Sequence, residues 1–115
     1  MEDFDIIKLV SDTLDPLNSL VIEGWYDDEL SKTHITVHEY LDQEDGFEDD
    51  EASEIIHNIQ VDIWSTDSLE SYNLKKNAKK LLKNNGFSYS DGQDSYEKET
   101  KIYHKAMRFT YVEYI

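Results

Sequence analysis

The chain has 115 residues, the length of one domain able to bury a real core. It carries 26 acidic against 11 basic residues, a formal net charge of −15, and no cysteine. That balance works against wrapping DNA or lying on an anionic membrane, and the missing cysteines exclude disulfides and thiolate metal sites.

No apolar run approaches the ~18 residues of a membrane span, and Met1-Glu2-Asp3 lacks the basic start of a signal peptide. A soluble protein made in the cytoplasm is expected. Eight tyrosines and an aromatic share of 12% argue against disorder despite the charge.

Residues 3–14 read as a first helix. Ile6, Ile7, Val10 and Leu14 share one face, with Leu9 at its edge and Lys8 and Asp12 opposite. Glu2, Asp3 and Asp5 suit the positive end of the helix dipole. Pro16 disfavours helical geometry at Asp15, so the helix ends near Leu14.

Leu20–Tyr26 reads as a strand, Asp27-Asp28-Glu29 as a charged turn, and Thr33–Leu41 as a second strand. On the second strand Ile35 and Val37 alternate with Thr36, His38 and Tyr40. Asp42–Ser53 is the compositional outlier. Its acidic residues are Asp42, Glu44, Asp45, Glu48, Asp49, Asp50 and Glu51, and no basic residue interrupts them. Such a run repels itself, and a mobile, solvated loop is expected at about 42–53. Phe47 in its middle is a candidate anchor for a partner, or tucks back onto the domain.

Glu54–Ser65 is the strand around which the chain is organised. Ile59, Val61 and Ile63 alternate with Gln60, Asp62 and Trp64, the period of a half-buried strand. Asp67 and Glu70 then form a capping-box pattern that opens a second helix over about 68–84. Leu74, Ala78, Leu81 and Leu82 make its apolar stripe. Lys75, Lys76, Lys79, Lys80 and Lys83 make the opposite face, and Asn84-Asn85-Gly86 stops it.

Phe87–Tyr89 reads as a short strand, Asp91-Gly92 as a turn, and Lys101–Tyr114 as the last and longest strand. On that strand Met107, Phe109 and Tyr111 alternate with Ala106, Arg108, Thr110 and Val112. The expected order is α-β-β-β-α-(β)-β. It implies a single α+β domain over residues 1–115: an antiparallel sheet of four to five strands with two helices on one face. Val61, Ile63, Met107 and Phe109 belong beneath the helices. The other face, with Trp64, is solvated or covered by another subunit.

The chemistry of catalysis is not visible. His34 and His38 are four apart, which on a strand is roughly 13 Å, too far for one zinc. His57 and His104 remain open as a cross-strand pair. No nucleophile elbow or phosphate-cradling glycine loop occurs. Leu69 and Tyr72 fall on the lysine side of the second helix, off its core stripe. Exposed apolar residues beside charge suit a subunit rim. The candidate contacts to a second copy or a partner are therefore Trp64, Leu69, Tyr72, Lys75, Lys76, Lys79, Lys80 and Lys83.

Two segments carry a resemblance. Ile59-Gln60-Val61-Asp62-Ile63-Trp64-Ser65 and the run Glu99–Glu113 resemble the tail-completion proteins of long-tailed phages and prophages of Gram-positive bacteria. That group includes tail terminators and head–tail joining proteins. The resemblance implies a structural virion protein, assembled in the host cytoplasm as a ring, a hexamer in many members. Such a ring caps the tail tube, meets the head connector and lets DNA pass without specific binding. It implies no enzymatic activity, no cofactor and no membrane partner, and it transfers no single functional residue. The alternatives are another phage neck component, an acidic adaptor for a basic partner, and a small carboxylate-metal hydrolase or nuclease.

Overall fold

Asp5 begins the first helix, α1 (Ile6–Leu14), because its extended backbone frees the side chain to accept the Lys8 N–H at 3.1 Å. The computed structural model describes residues 4–24 and 32–115. Asp15-Pro16-Leu17 follows as a single 3₁₀ turn, closed by Asn18 in the left-handed conformation. The chain then forms β1 (Leu20–Glu23), β2 (His34–Asp45), β3 (Glu54–Ser65), α2 (Ser68–Asn84), β4 (Ser88–Glu97) and β5 (Ile102–Tyr114). Trp25, Tyr26 and the Asp27-Asp28-Glu29 turn lie outside the described residues, as do Glu2 and Asp3.

The five strands form one sheet in the order β1-β2-β3-β5-β4. The sheet is mixed, which corrects the antiparallel expectation. β1 runs parallel to β2, with Leu20 opposite His34 and Glu23 opposite Val37. A turn signal between two strands marks where one ends, not the direction of the next, and parallel neighbours cannot share a tight hairpin. The remaining pairs are antiparallel.

Two further elements depart from expectation. β4 is a full edge strand of 10 residues rather than a short stub, and Asp91-Gly92 lies within it beside a bulge. Its sequence shows no hydrophobic alternation because both of its sides are largely exposed. β2 runs on to Asp45, so the acidic stretch begins as strand: Asp42 pairs with His57 and Asp45 with Glu54.

The acidic tip is a tight hairpin. Glu48 and Glu51 exchange both backbone hydrogen bonds, at 2.9 and 3.0 Å. Asp49 and Asp50 between them take φ of 53° and 64°, the left-handed pair that a two-residue hairpin of this twist requires. Ser53 Oγ donates to the Gly46 carbonyl at 2.7 Å, and Ile115 N–H donates to the Ser53 carbonyl at 2.9 Å. Gly46 (φ +67°) has no room for a Cβ, which would lie 2.1 Å from Ser53 Oγ.

The core lies between the sheet and the helices. Ile6, Val10 and Leu14 of α1 and Leu74, Ala78 and Leu82 of α2 meet Ile35, Val37, Ile59, Val61, Ile63, Met107 and Phe109. Val61, Ile63, Met107 and Phe109 are fully buried. Phe87 and Tyr89 set their rings edge-on to Phe109. The helices cover only part of the long strands. Beyond them β2, β3 and β5 continue as a three-stranded arm, and the molecule measures 54 × 24 × 24 Å.

Candidate assembly surface

The outer face of α2 follows from its inner one. With Leu74, Ala78 and Leu82 turned to the core, residues two and five positions away from them face outward. Leu69 is 68% and Tyr72 56% exposed. The lysines divide into two groups. Lys75 and Lys105 both reach Asp94, at 2.7 and 3.3 Å, which ties α2 to β4 and β5. Burial disfavours the Asp94 carboxylate, but the two ammonium groups outweigh it and hold its pKa below the usual range. Lys79 sits over the Tyr89 ring, 3.9 Å from its centroid. Lys76, Lys80 and Lys83 are exposed.

The sheet face opposite the helices is polar near its centre. Trp64 points to that face but is only 5% exposed, which corrects the expectation of an exposed tryptophan patch. Its indole N–H donates to Thr36 Oγ1 at 2.9 Å, and its ring stacks on His104 at 3.8 Å between centroids. Asp62 is buried beside them. Its Oδ1 accepts from His104 Nε2 at 2.7 Å and from Gln60 Nε2 at 2.9 Å, while Oδ2 lies 4.0 Å from His38 Nδ1. Burial pushes the His38 pKa down, with Asp62 opposing.

Beside this network lies an open cavity of about 400 Å³, lined by Gln60, Gln93, Ser95, His104, Ala106 and Arg108, with Asp91 and Gly92 at its β4 side. Arg108 is the chain's only arginine. It stacks over Tyr40 at 4.8 Å, and its Nε donates to Gln60 Oε1 at 3.3 Å.

On the helix side, at the root of the arm, His57 is held between Glu39 and Glu113. Nε2 lies 2.9 Å from Glu113 Oε1, and Nδ1 contacts the Glu39 carboxylate. Phe4 packs on His57 and stacks on Tyr111. Burial disfavours the charged ring, but the carboxylates of Glu113 and Glu39 outweigh it and raise the His57 pKa. A donor at each nitrogen is what the imidazolium supplies.

His57 and His104 therefore lie on opposite faces of β3 and β5 and do not meet across strands. Among the described residues no cluster of His, Asp and Glu is arranged to hold a metal. The seven acidic residues of the 42–53 stretch are all exposed along the arm and its tip.

A solved structure shares this fold. A chain described as "Virion of native gene transfer agent (GTA) particle" superposes with a TM-score of 0.61 over 89% of this chain and 81% of that one, at 8% sequence identity. At that identity the likeness concerns the fold. No family model matches the sequence, and no curated protein does.

The outer face of α2 and the acidic character of the 42–53 stretch are visible in the sequence, whereas the hairpin form of that stretch, the setting of Arg108, the Asp62–His104 network and the His57 clamp are not. Arg108 had one available signal, as a lone arginine among 26 acidic residues. The network and the clamp depend on which strands are neighbours, which no single-strand pattern contains.

Proposed function

We propose that this chain is a structural virion protein that completes a phage tail and joins it to the head as an oligomeric ring. The observation that carries the reading is the fold, shared over 89% of the chain with a chain of a gene transfer agent virion. The surface agrees with it. One small chain carries both an acidic arm and a helix face bearing Leu69, Tyr72, Lys76, Lys80 and Lys83. Unlike surfaces on one chain make head-to-tail contacts, and such contacts close into a ring when the rotation allows. Lys75 and Lys79 contribute less, being engaged by Asp94 and Tyr89 within the chain.

The partners of this reading are further copies of the chain, the tail-tube protein and the head connector. DNA passes through the ring without specific contacts. A strongly negative bore repels the phosphate backbone and limits sticking during passage. The ring is a virion component and performs no catalysis.

Light scattering and electron microscopy test this, on the protein alone and mixed with tails assembled without it. Rings or decorated tube ends are expected. Reversing Lys76, Lys80 and Lys83 to Glu is expected to disperse them. A protein that stays monomeric and never decorates tubes overturns the reading in favour of an adaptor. Rings that survive the reversal move the contact off α2.

A further inference from the structure

The helix-free sheet face carries a surface that complements the acidic hairpin tip in charge and in apolar character. It starts from an unusual placement. The chain has 26 acidic side chains and one arginine, yet among the described residues no carboxylate lies in ion-pair reach of Arg108. Asp91 is its neighbour across the β4–β5 ladder, but no ion pair links them. Tyr40 and Gln60 hold the guanidinium by its face and its Nε, which leaves the terminal nitrogens at the edge of the cavity. A guanidinium positioned this way is suited to a carboxylate in a bidentate pair.

The surface continues along the same face toward the arm. From the row of Arg108 and Gln60, the next row on this face is Thr110, Asn58 and Leu41, and the one after it Val112, Ile56 and Gln43. Each row lies about 7 Å further along the strands. Leu41 is 47% and Tyr114 77% exposed, while Ile56 and Val112 are half-buried. An arginine thus stands at one end of a strip in which Leu41, Ile56 and Val112 lie among Asn58, Thr110 and Gln43, and no described element covers it. Exposed apolar surface beside an unpaired charge is the composition of a contact site.

The hairpin tip has the complementary composition. Phe47 is 61% exposed and is followed directly by Glu48, Asp49, Asp50 and Glu51, all exposed. The Glu48–Glu51 backbone pair closes the tip into a turn, so its backbone is already shaped for docking. We infer that the hairpin tip of one copy docks on the helix-free face of a second copy, with Phe47 on the Leu41, Ile56 and Val112 strip and a tip carboxylate on Arg108. The tip and the strip are different surfaces of one chain, so the contact is head-to-tail. This rests on the ring proposed above and gives the tip its own seat on the sheet, which leaves the α2 lysines to meet the acidic residues lower on the arm, Asp42, Glu44 and Asp45. The Asp62–His104–Trp64 network stiffens the floor beside the site and takes no part in the pairing.

Introduced thiols test the contact in a chain with no cysteine of its own. Phe47→Cys and Val112→Cys are purified separately, mixed, assembled alone or on tails, and oxidised. A dimer cross-linked between the two variants is expected, in excess of the product from Phe47→Cys mixed with Tyr72→Cys on α2. Adding Arg108→Glu to the Val112→Cys chain is expected to lower cross-linking at least about tenfold, because like charges then face each other. Arg108→Lys is expected to retain part of it. Thermal melts of each variant show that the loss is not unfolding. Assemblies in which the tip cross-links to Tyr72→Cys, or in which Arg108→Glu changes nothing, overturn the docking and leave the ring intact. No assembly of the unmodified chain under any condition overturns both.

Discussion

A histidine held between two carboxylates makes part of the stability depend on pH. His57 has a raised pKa in the folded chain through Glu113 and Glu39, against the cost of burial. Its contribution is therefore fully present below the unfolded value of about 6.5 and is lost as pH rises through the higher folded value. Replacing His57 with Gln is expected to lower the urea midpoint more at pH 5.5 than at pH 9; equal losses at both would show that the ring only fills space. Phe109 makes a different case, fully buried between Phe87 and Tyr89. Phe109→Ala should cost roughly 3–5 kcal/mol, read as a lower urea midpoint at unchanged slope. Positions such as Phe109 are legible from alternation alone, because burial on one face of a strand leaves a period of two. The His57 clamp is not. Its carboxylates come from β2 and β5, and their meeting depends on strand order and register.

At the scale of elements, legibility followed amphipathicity. α1 and α2 bury one face and expose another, and β3 turns an apolar row to the helices and a more polar row to the other face, so their sequences carry a period. β4 is exposed on both sides and carries none, so only its first residues suggested a strand. The outer end of β2 was hidden by its charge: Asp42, Glu44 and Asp45 read as loop but pair with β3. The pairing has a measurable consequence. Amides across Asp42–Asp45 should exchange more slowly than those of residues 46–52. Uniformly fast exchange from 42 to 52 would return the whole stretch to loop. The tip has its own test. Asp50 holds a left-handed φ of 64°, a conformation that costs a non-glycine residue roughly 1 kcal/mol. Asp50→Gly should therefore raise the melting temperature slightly, whereas Gly46→Ala, which collides with Ser53, should lower it.

For the whole molecule the dominant quantity is its charge of −15. Copies of such a chain repel one another over a distance set by the salt, about 30 Å at 0.01 M and 8 Å at 0.15 M. If the chains form the proposed ring, assembly should strengthen between those two concentrations, as measured by light scattering. Steady weakening over the same range would mean that attraction between unlike patches outweighs the overall repulsion. The architecture of the sheet was the least legible level. Which strands sit at the edges, and that β1 lies parallel to β2, follow from the path of the chain and not from the composition of any segment. The position of β3 also matters before the molecule is complete. Its two neighbours are made at different times: β2 just before it, and β5 only after α2 and β4 have left the ribosome. Until then Ile59, Val61 and Ile63 belong to a strand with one open edge, the kind of segment that captures other nascent chains. The acidic residues at the far end of the β2–β3 hairpin set like charge beside that waiting strand, the composition of a gatekeeper segment.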